Sequence, residues 1–482
     1  MIAKRYWSAV TLSACLLGGC SLAPVYHAPT VSVPTDAWTD NPWQLAKPAD
    51  DLPRGSWWRV YGDPTLDGLE EKIEEANPNL AAALASYDQA KAYIGEVRAG
   101  LFPTVDAGAS LTRNRQSDNR PLRGANQPDV YAANTVGVSA NYDLDLWGRV
   151  RNQVASGRAK AQASAADVES VRLSLHAQLA DNYVRLRGVD AQAKLLNDTV
   201  DAYASALSLT QRRHEGGIAS GLDVSRAETQ LRTARAQAAD IAAQRALYEH
   251  AIASLIGQPA MSFSLPVTHN LLAVPQISAS VPSTLLQRRP DIAAAERRTA
   301  AANATIGVAR AAFYPDFSLG AAFGFQNTGL PGLLTAPNRL WTIGPGMIFN
   351  LFDAGRHDAQ LAEAHAALDQ VAAEYRATVL AAFQQVEDDL AHLKYDREGE
   401  LDQDAAIKSA SKTLELAFNR YRDGAVNYLE VVTAQEAALA AQRSALDLHT
   451  QQLRTSVDLI RALGGGWSQE QEADHKSVAS TH

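Results

Sequence analysis

Past its N-terminal stretch, the 482-residue chain has no cysteine, little methionine, few aromatics and no apolar run long enough for a membrane helix. Each shortage excludes something. The two cysteines are Cys15 and Cys20, so no disulfide framework or thiol nucleophile is expected further along. The three methionines, Met1, Met261 and Met347, are too scattered to form a soft-metal cluster. No Lys/Arg-rich run stands out and the net charge is −9, which argues against nucleic acid as a partner. Also missing are G-x-S-x-G, H-E-x-x-H, a P-loop and paired metal cysteines, and the 11 histidines, His176, His365 and His392 among them, are dispersed. Neither catalysis nor a metal or other cofactor is expected. What the chain does have is alanine, which supplies much of its 46% hydrophobic content. Alanine-rich helices pack closely and bury little area each, which suits a thin wall more than a thick core.

The N-terminus carries an export signal. Lys4 and Arg5 precede an apolar stretch from Tyr6 to Leu17, closed by Leu17-Gly18-Gly19-Cys20. That ending resembles the bacterial lipobox, which implies cleavage after residue 19 and acylation of Cys20. Ser21 in place of an aspartate resembles sorting signals for the outer membrane. A chain so placed, without a membrane helix, has to cross with strands if it crosses at all.

The chain is a tandem duplication. "EGGIASGLDVS" (215–225) returns as "RDGAVNYLEVV" (422–432), with Gly217 on Gly424, Leu222 on Leu429 and Asp223 on Glu430 at a spacing of 207 residues. "NPNLAAALASYDQAKAYIGEVRAGLFP" (77–103) returns as "RPDIAAAERRTAAANATIGVARAAFYP" (289–315), and Ile256-Gly257 as Leu463-Gly464. The expected organisation is a signal peptide (1–19), a lipidated N-terminal segment (20–64), repeat 1 (65–258), a connector (259–282), repeat 2 (283–465) and a polar tail (466–482).

Each repeat has stretches that alternate with period two. In "DFSLGAAFGFQ", Phe317, Leu319, Ala321, Phe323 and Phe325 share one face, opposite Ser318, Gly320, Ala322, Gly324 and Gln326. Strands are expected at about 104–114, 134–146, 316–327 and 340–352. A soluble half-buried sheet alternates in the same way. The polar face here, however, is Gly, Ser, Thr, Asn and Asp, which suits a water-filled lumen. Four strands cannot close a membrane barrel, since the smallest use about eight. Two copies would supply eight strands and three copies twelve.

Before and after each strand pair lie helical patterns, at 65–100, 149–213, 220–256, 283–312, 355–421 and 427–462. The fifth steps by three or four from Leu361 to Leu393, a coiled-coil period. The fold class is α+β, a tandem-duplicated helix/strand repeat.

The lipobox, "LAPVYHAPTVSVP", the twice-occurring "IGxxRAxxxP", "LDLWGR", "RRHEGGIASGLDVSRAE" and "RYRDGAVNYLEVVTAQ" together resemble the TolC-type outer-membrane factors, in their OprM/NodT lipoprotein branch. The likeness extends over essentially the whole mature chain. It implies a trimer with a 12-stranded outer-membrane β-barrel, a long periplasmic α-helical barrel and an equatorial belt. It also implies service as the exit duct of a tripartite efflux system, with a periplasmic adaptor and an inner-membrane pump of RND type as partners. A type I secretion duct and a non-channel lipoprotein scaffold are the rival readings. By the same resemblance Asp223, Leu429 and Glu430 fall at the periplasmic gate, and Arg213, Gly217, Arg420, Tyr421 and Gly424 at hairpin tips that meet the adaptor. Thr433 stands where relatives often carry an aspartate, and Val426 where some carry an arginine. Asp223 and Glu430 also lie in the first turn of a helix, where the macrodipole favours a carboxylate by about 0.3–1 kcal/mol whatever its function. The segment 113–133, expected to connect two strands, carries Arg113, Arg115, Arg120 and Arg123, either solvated or set against lipopolysaccharide phosphates.

Overall fold

The computed structural model describes residues 21–28, 55–117, 119, 128–275 and 289–465. The signal peptide, Cys20, residues 29–54, Arg120, Arg123, residues 276–288 and the tail from 466 lie outside the described residues. A 3₁₀ turn at Trp57–Tyr61 leads into α1 (Pro64–Ala76), α2 (Pro78–Ala99), β1 (Thr104–Arg115), β2 (Val130–Leu144), α3 (Arg149–Glu215) and α4 (Gly221–Leu255). The second copy supplies α5 (Pro290–Ala311), β3 (Asp316–Asn327), β4 (Arg339–Ile348), α6 (Arg356–Arg422) and α7 (Tyr428–Ala462).

Several elements differ from the sequence reading. The helix expected at 65–100 is two helices, broken at Asn77, whose extended backbone (ψ 120°) is what a following proline imposes. The second strand starts at Val130 and ends at Leu144, where the Leu146 amide turns back onto the Leu144 carbonyl at 2.7 Å. The fourth ends at Ile348, and Asn350 Oδ1 then accepts the Phe352 amide at 3.2 Å. The chain also does not divide at the repeat boundary. Two compact units form, and each draws on both copies.

One unit takes in Ser86–Ser164 and Ala294–Arg376 with residues 21–28. Its sheet is antiparallel in the order β1-β2-β3-β4, and the pairing of β2 with β3 joins the two copies. The register sets apolar residues in rows: Ala107, Val138, Phe323 and Trp341; Val105, Ala140, Ala321 and Ile343. The other face carries Asp106, Ser139, Ala322 and Thr342 in one row, and Gly108, Gly137 and Gly324 in the next. Gly137 opposes Gly324 closely enough that a Cβ at either would press into the facing strand's backbone. On the apolar face Trp341 is 73% exposed and Ile343 65%. β1 and β4 are the sheet's unpaired edges. No helix among the described residues is long and apolar enough to cross a membrane. In the same unit, residues 21–28 lie against α5: Asn303 donates to the Pro24 carbonyl at 2.8 Å, and Tyr26 OH to Glu296 Oε1 at 2.6 Å.

The other unit takes in Val31–Ala85, Ala165–Ala293 and Ala377–His482, so far as these are described. Its core is helix against helix, with Leu66, Ile73, Leu179, Tyr183, Leu186, Ile252 and Leu453 essentially inaccessible. Duplication shows in its bonds. Asn77 Nδ2 donates to the Leu255 carbonyl at 2.6 Å, and its counterpart Arg289 donates from Nη1 to the Ala462 carbonyl at 3.2 Å. A different side chain thus caps the last turn of the return helix in each copy.

Candidate functional site at the two helix turns

The α3–α4 and α6–α7 turns are built alike. Gly217 (φ 73°) and Gly424 (φ 81°) take the left-handed conformation that ends a helix most cheaply in glycine. Gly217 donates to His214 and Ile218 to Arg213, at 2.9 and 2.7 Å; Gly424 donates to Tyr421 and Ala425 to Arg420, at 3.0 and 2.8 Å. These are the paired bonds of a Schellman motif.

The helices that follow start differently. Ser220 caps α4 in a reciprocal box: its hydroxyl accepts the Asp223 amide at 3.2 Å, and Asp223 Oδ2 accepts the Ser220 hydroxyl at 2.9 Å and amide at 3.3 Å. Arg226 lies 3.7 Å from the same carboxylate. In α7, Asn427 takes the cap and bonds the Leu429 amide at 3.1 Å, leaving Glu430 out of any box. Glu430 is exposed, with Arg420 Nη1 3.8 Å from its Oε2. Two carboxylates that match in sequence therefore do different work. Asp223 holds its own turn, and Glu430 faces water.

Beneath the turns is an aromatic cluster. Tyr421 and Tyr428 meet edge to face at 5.2 Å, with Ala227, Val431 and Val432 around them. Burial pushes the Tyr428 phenol up to about 12, so it stays protonated throughout the physiological range. Arg213 Nη1 reaches across and donates to the carbonyls of Tyr421 and Arg422, both at 2.9 Å, with its guanidinium 4.8 Å from the Tyr421 ring centre. The α3 turn is thereby fastened to the end of α6.

Arg420, Leu429 and Glu430 share a groove of about 570 Å³ with Leu416, Thr433 and Ala437. The structure therefore brings Arg420, Leu429 and Glu430 together on one surface, and Arg213, Tyr421 and Gly424 at the fastening, while Gly217 occupies its own turn. Tyr428 and the latching role of Arg213 were missed in the sequence. The available signal was a break in the repeat: Tyr428 stands where the first copy has Gly221, and Tyr421 where it has His214. Among the described residues no group of three or more His, Cys, Asp or Glu is placed to hold a metal ion.

The chain as a whole has known relatives. The sequence model of the outer membrane efflux protein family matches residues 69–258 and 281–465, most of both repeats, and the chain belongs to that family. It is 33% identical over 465 residues to the antibiotic efflux pump outer membrane protein ArpC of Pseudomonas putida, covering 96% of each chain. It is 32% identical to the outer membrane protein OprJ of Pseudomonas aeruginosa, covering 95% of each. Among solved structures, the outer-membrane channel OprN superposes with a TM-score of 0.84 at 28% identity, covering 93% of this chain and all of that one. VceC from Vibrio cholerae superposes at 0.80 and 28% identity, covering 86% of this chain and 100% of the other.

Proposed function

We propose that three copies of this chain close their sheets edge to edge into one 12-stranded outer-membrane barrel, the exit duct of a tripartite efflux system. The observation that carries this is the four-stranded sheet, apolar on one face, small and polar on the other, with both edges unpaired. An open edge in lipid strands backbone groups at several kcal/mol each, so spanning requires that β4 of one copy meet β1 of the next. The duct is passive, and energy comes from an inner-membrane pump of the RND type through a periplasmic adaptor that meets the helix turns near Arg213, Gly217, Arg420, Tyr421 and Gly424. Cys20 carries the lipid anchor. The cargo is small organic compounds, in keeping with relatives named for antibiotic and toluene efflux.

Leu429 and Glu430 narrow the periplasmic mouth, with Asp223 holding the neighbouring turn. A ring of carboxylates favours cations over anions. Single-channel conductance of the purified lipidated protein in a planar bilayer tests both readings. A small cation-preferring conductance that rises when Asp223 and Glu430 are changed to alanine is expected. Silence from wild type and variant alike, with trimeric protein inserted, overturns the duct.

A further inference from the structure

His176 on α3 is 4% exposed, with a carboxylate at each ring nitrogen. Nδ1 lies 2.7 Å from Glu70 Oε2 and Nε2 lies 3.1 Å from Glu74 Oε1, both on α1. Trp58, in the 3₁₀ turn before α1, stacks on the imidazole at 4.4 Å and 23°. Glu70 is wholly buried, and its Oε1 has no hydrogen-bond partner among the described residues.

This arrangement fixes a proton count. A neutral imidazole has one N–H and one lone pair, so it can donate to only one of two carboxylates. Both contacts become hydrogen bonds only with one further proton, on the ring or on one of the two carboxylates. Without that proton one ring lone pair faces a carboxylate oxygen, and that contact of the buried ring is repulsive instead of bonding. The surrounding charges do not supply a substitute. α1 adds Asp67, and α3 adds Glu169 and Arg172; Arg172 is taken up by Glu74 at 2.7 Å and by Glu169. From the 3₁₀ turn, Arg59 pairs with the exposed Glu71, and the Tyr61 hydroxyl meets Ser456 of α7 at 2.7 Å, with Asp458 beyond.

We propose that the proton shared by His176, Glu70 and Glu74 is a pH-sensitive clasp that holds the segment Trp57–Ala76 to α3. The clasp is closed in acid and loosens as the proton leaves. Burial, opposed by the His176 hydrogen bond, pushes the Glu70 carboxyl up to about 7. Its folded value lies above its unfolded one, so the stability it contributes is full below about pH 4.5 and is lost as pH rises through about 7. Other groups move global stability in this window, so a local readout is needed.

Hydrogen exchange by mass spectrometry on the full-length protein in detergent, from about pH 6 to about pH 8.5, supplies it once intrinsic exchange rates are divided out. Amides of α1 should lose about ten-fold in protection, relative to α5, as pH rises. Glu70→Gln, which keeps a hydrogen-bonding group and removes the charge, should flatten that dependence. Glu74→Gln should move the midpoint to lower pH, because it removes a negative charge that helps hold the proton. Should Glu70→Gln not fold, Glu74→Gln decides, since its side chain is 42% exposed and tolerates change. Flat protection in the wild type, an unaltered profile in Glu70→Gln or an unmoved midpoint in Glu74→Gln overturns the proposal.

Discussion

The Arg213 guanidinium donates to the carbonyl of Tyr421 at 2.9 Å while lying 4.8 Å from the centre of that residue's ring. One side chain thus adds a second donor to the Tyr421 carbonyl, bonds the Arg422 carbonyl at the end of α6 and covers the aromatic face below them. Its counterpart in the second copy, Arg420, does neither and faces Glu430 at 3.8 Å. The duplication has diverged into a fastening in one turn and an exposed ion pair in the other.

Removing the fastening should loosen the turn. Arg213→Ala takes away two charge-assisted bonds, and a loss of about 1–3 kcal/mol is expected, concentrated in the 421–428 turn. Arg213→Lys should recover only part of it, because an ammonium lacks the planar fork and the stacking face. Limited proteolysis at Arg422, compared across the wild type and both variants, measures this. Equal cleavage rates in all three would contradict the role given to Arg213.

Asp223 and Glu430 should separate on mutation. Asp223→Asn disturbs the box with Ser220 and should cost about 0.5–1.5 kcal/mol of local stability with little change in ion selectivity. Glu430→Gln loses only an exposed pair, worth about 0–1 kcal/mol, but should reduce cation preference. Reversal potentials in asymmetric salt, set beside thermal melts, test the separation. A larger selectivity change in Asp223→Asn than in Glu430→Gln would reverse the assignment.

Features that depend on local chemistry were legible in the sequence. Gly217 and Gly424 marked both turns, and period-two alternation placed the four strands to within a few residues. Ser220 and Asp223 form a box readable as Ser-x-x-Asp, which the repeat match of Asp223 to Glu430 masks. The break at Asn77-Pro78 was present in the sequence but was overridden by helical periodicity on either side. What no local pattern could give was contact between distant segments: the pairing of β2 with β3, the reach of Arg213 to α6, and the meeting of His176 with α1. Those depend on packing, in which residues far apart in sequence become neighbours.

Two glycines with nearly the same backbone should respond differently to alanine. Gly217 (φ 73°) has open space where a Cβ would stand, so Gly217→Ala should cost only the left-handed strain of about 1–2 kcal/mol. Gly257 (φ 68°) ends α4 against the Ala76 carbonyl, and an added Cβ would lie 3.0 Å from its carbon and nearer still to its oxygen. Gly257→Ala should therefore cost about 1–2 kcal/mol more, through displacement of the end of α1. Chemical denaturation of the two variants ranks them, and an equal loss would show that the Ala76 contact relaxes freely.

A second acid, Asp389, holds its proton up to near neutrality. Burial, with Asp458 and Asp388 nearby and Arg461 only partly opposing, pushes the Asp389 carboxyl up to about 7. The unfolded chain ionises this group near 3.8, so the folded state holds the proton more tightly. Its contribution to stability is full in acid and lost as pH rises through about 7. Asp389→Asn removes the charge that burial penalises, so at about pH 8 the variant should be more stable than the wild type by roughly 1 kcal/mol, allowing for partial solvent screening. At about pH 5 the advantage should vanish, since the wild-type acid is then protonated. Unfolding midpoints at both values, for the wild type and Asp389→Asn, check the sign. A variant less stable than the wild type at about pH 8, with no difference at about pH 5, would mean that Arg461, and not burial, governs this carboxyl.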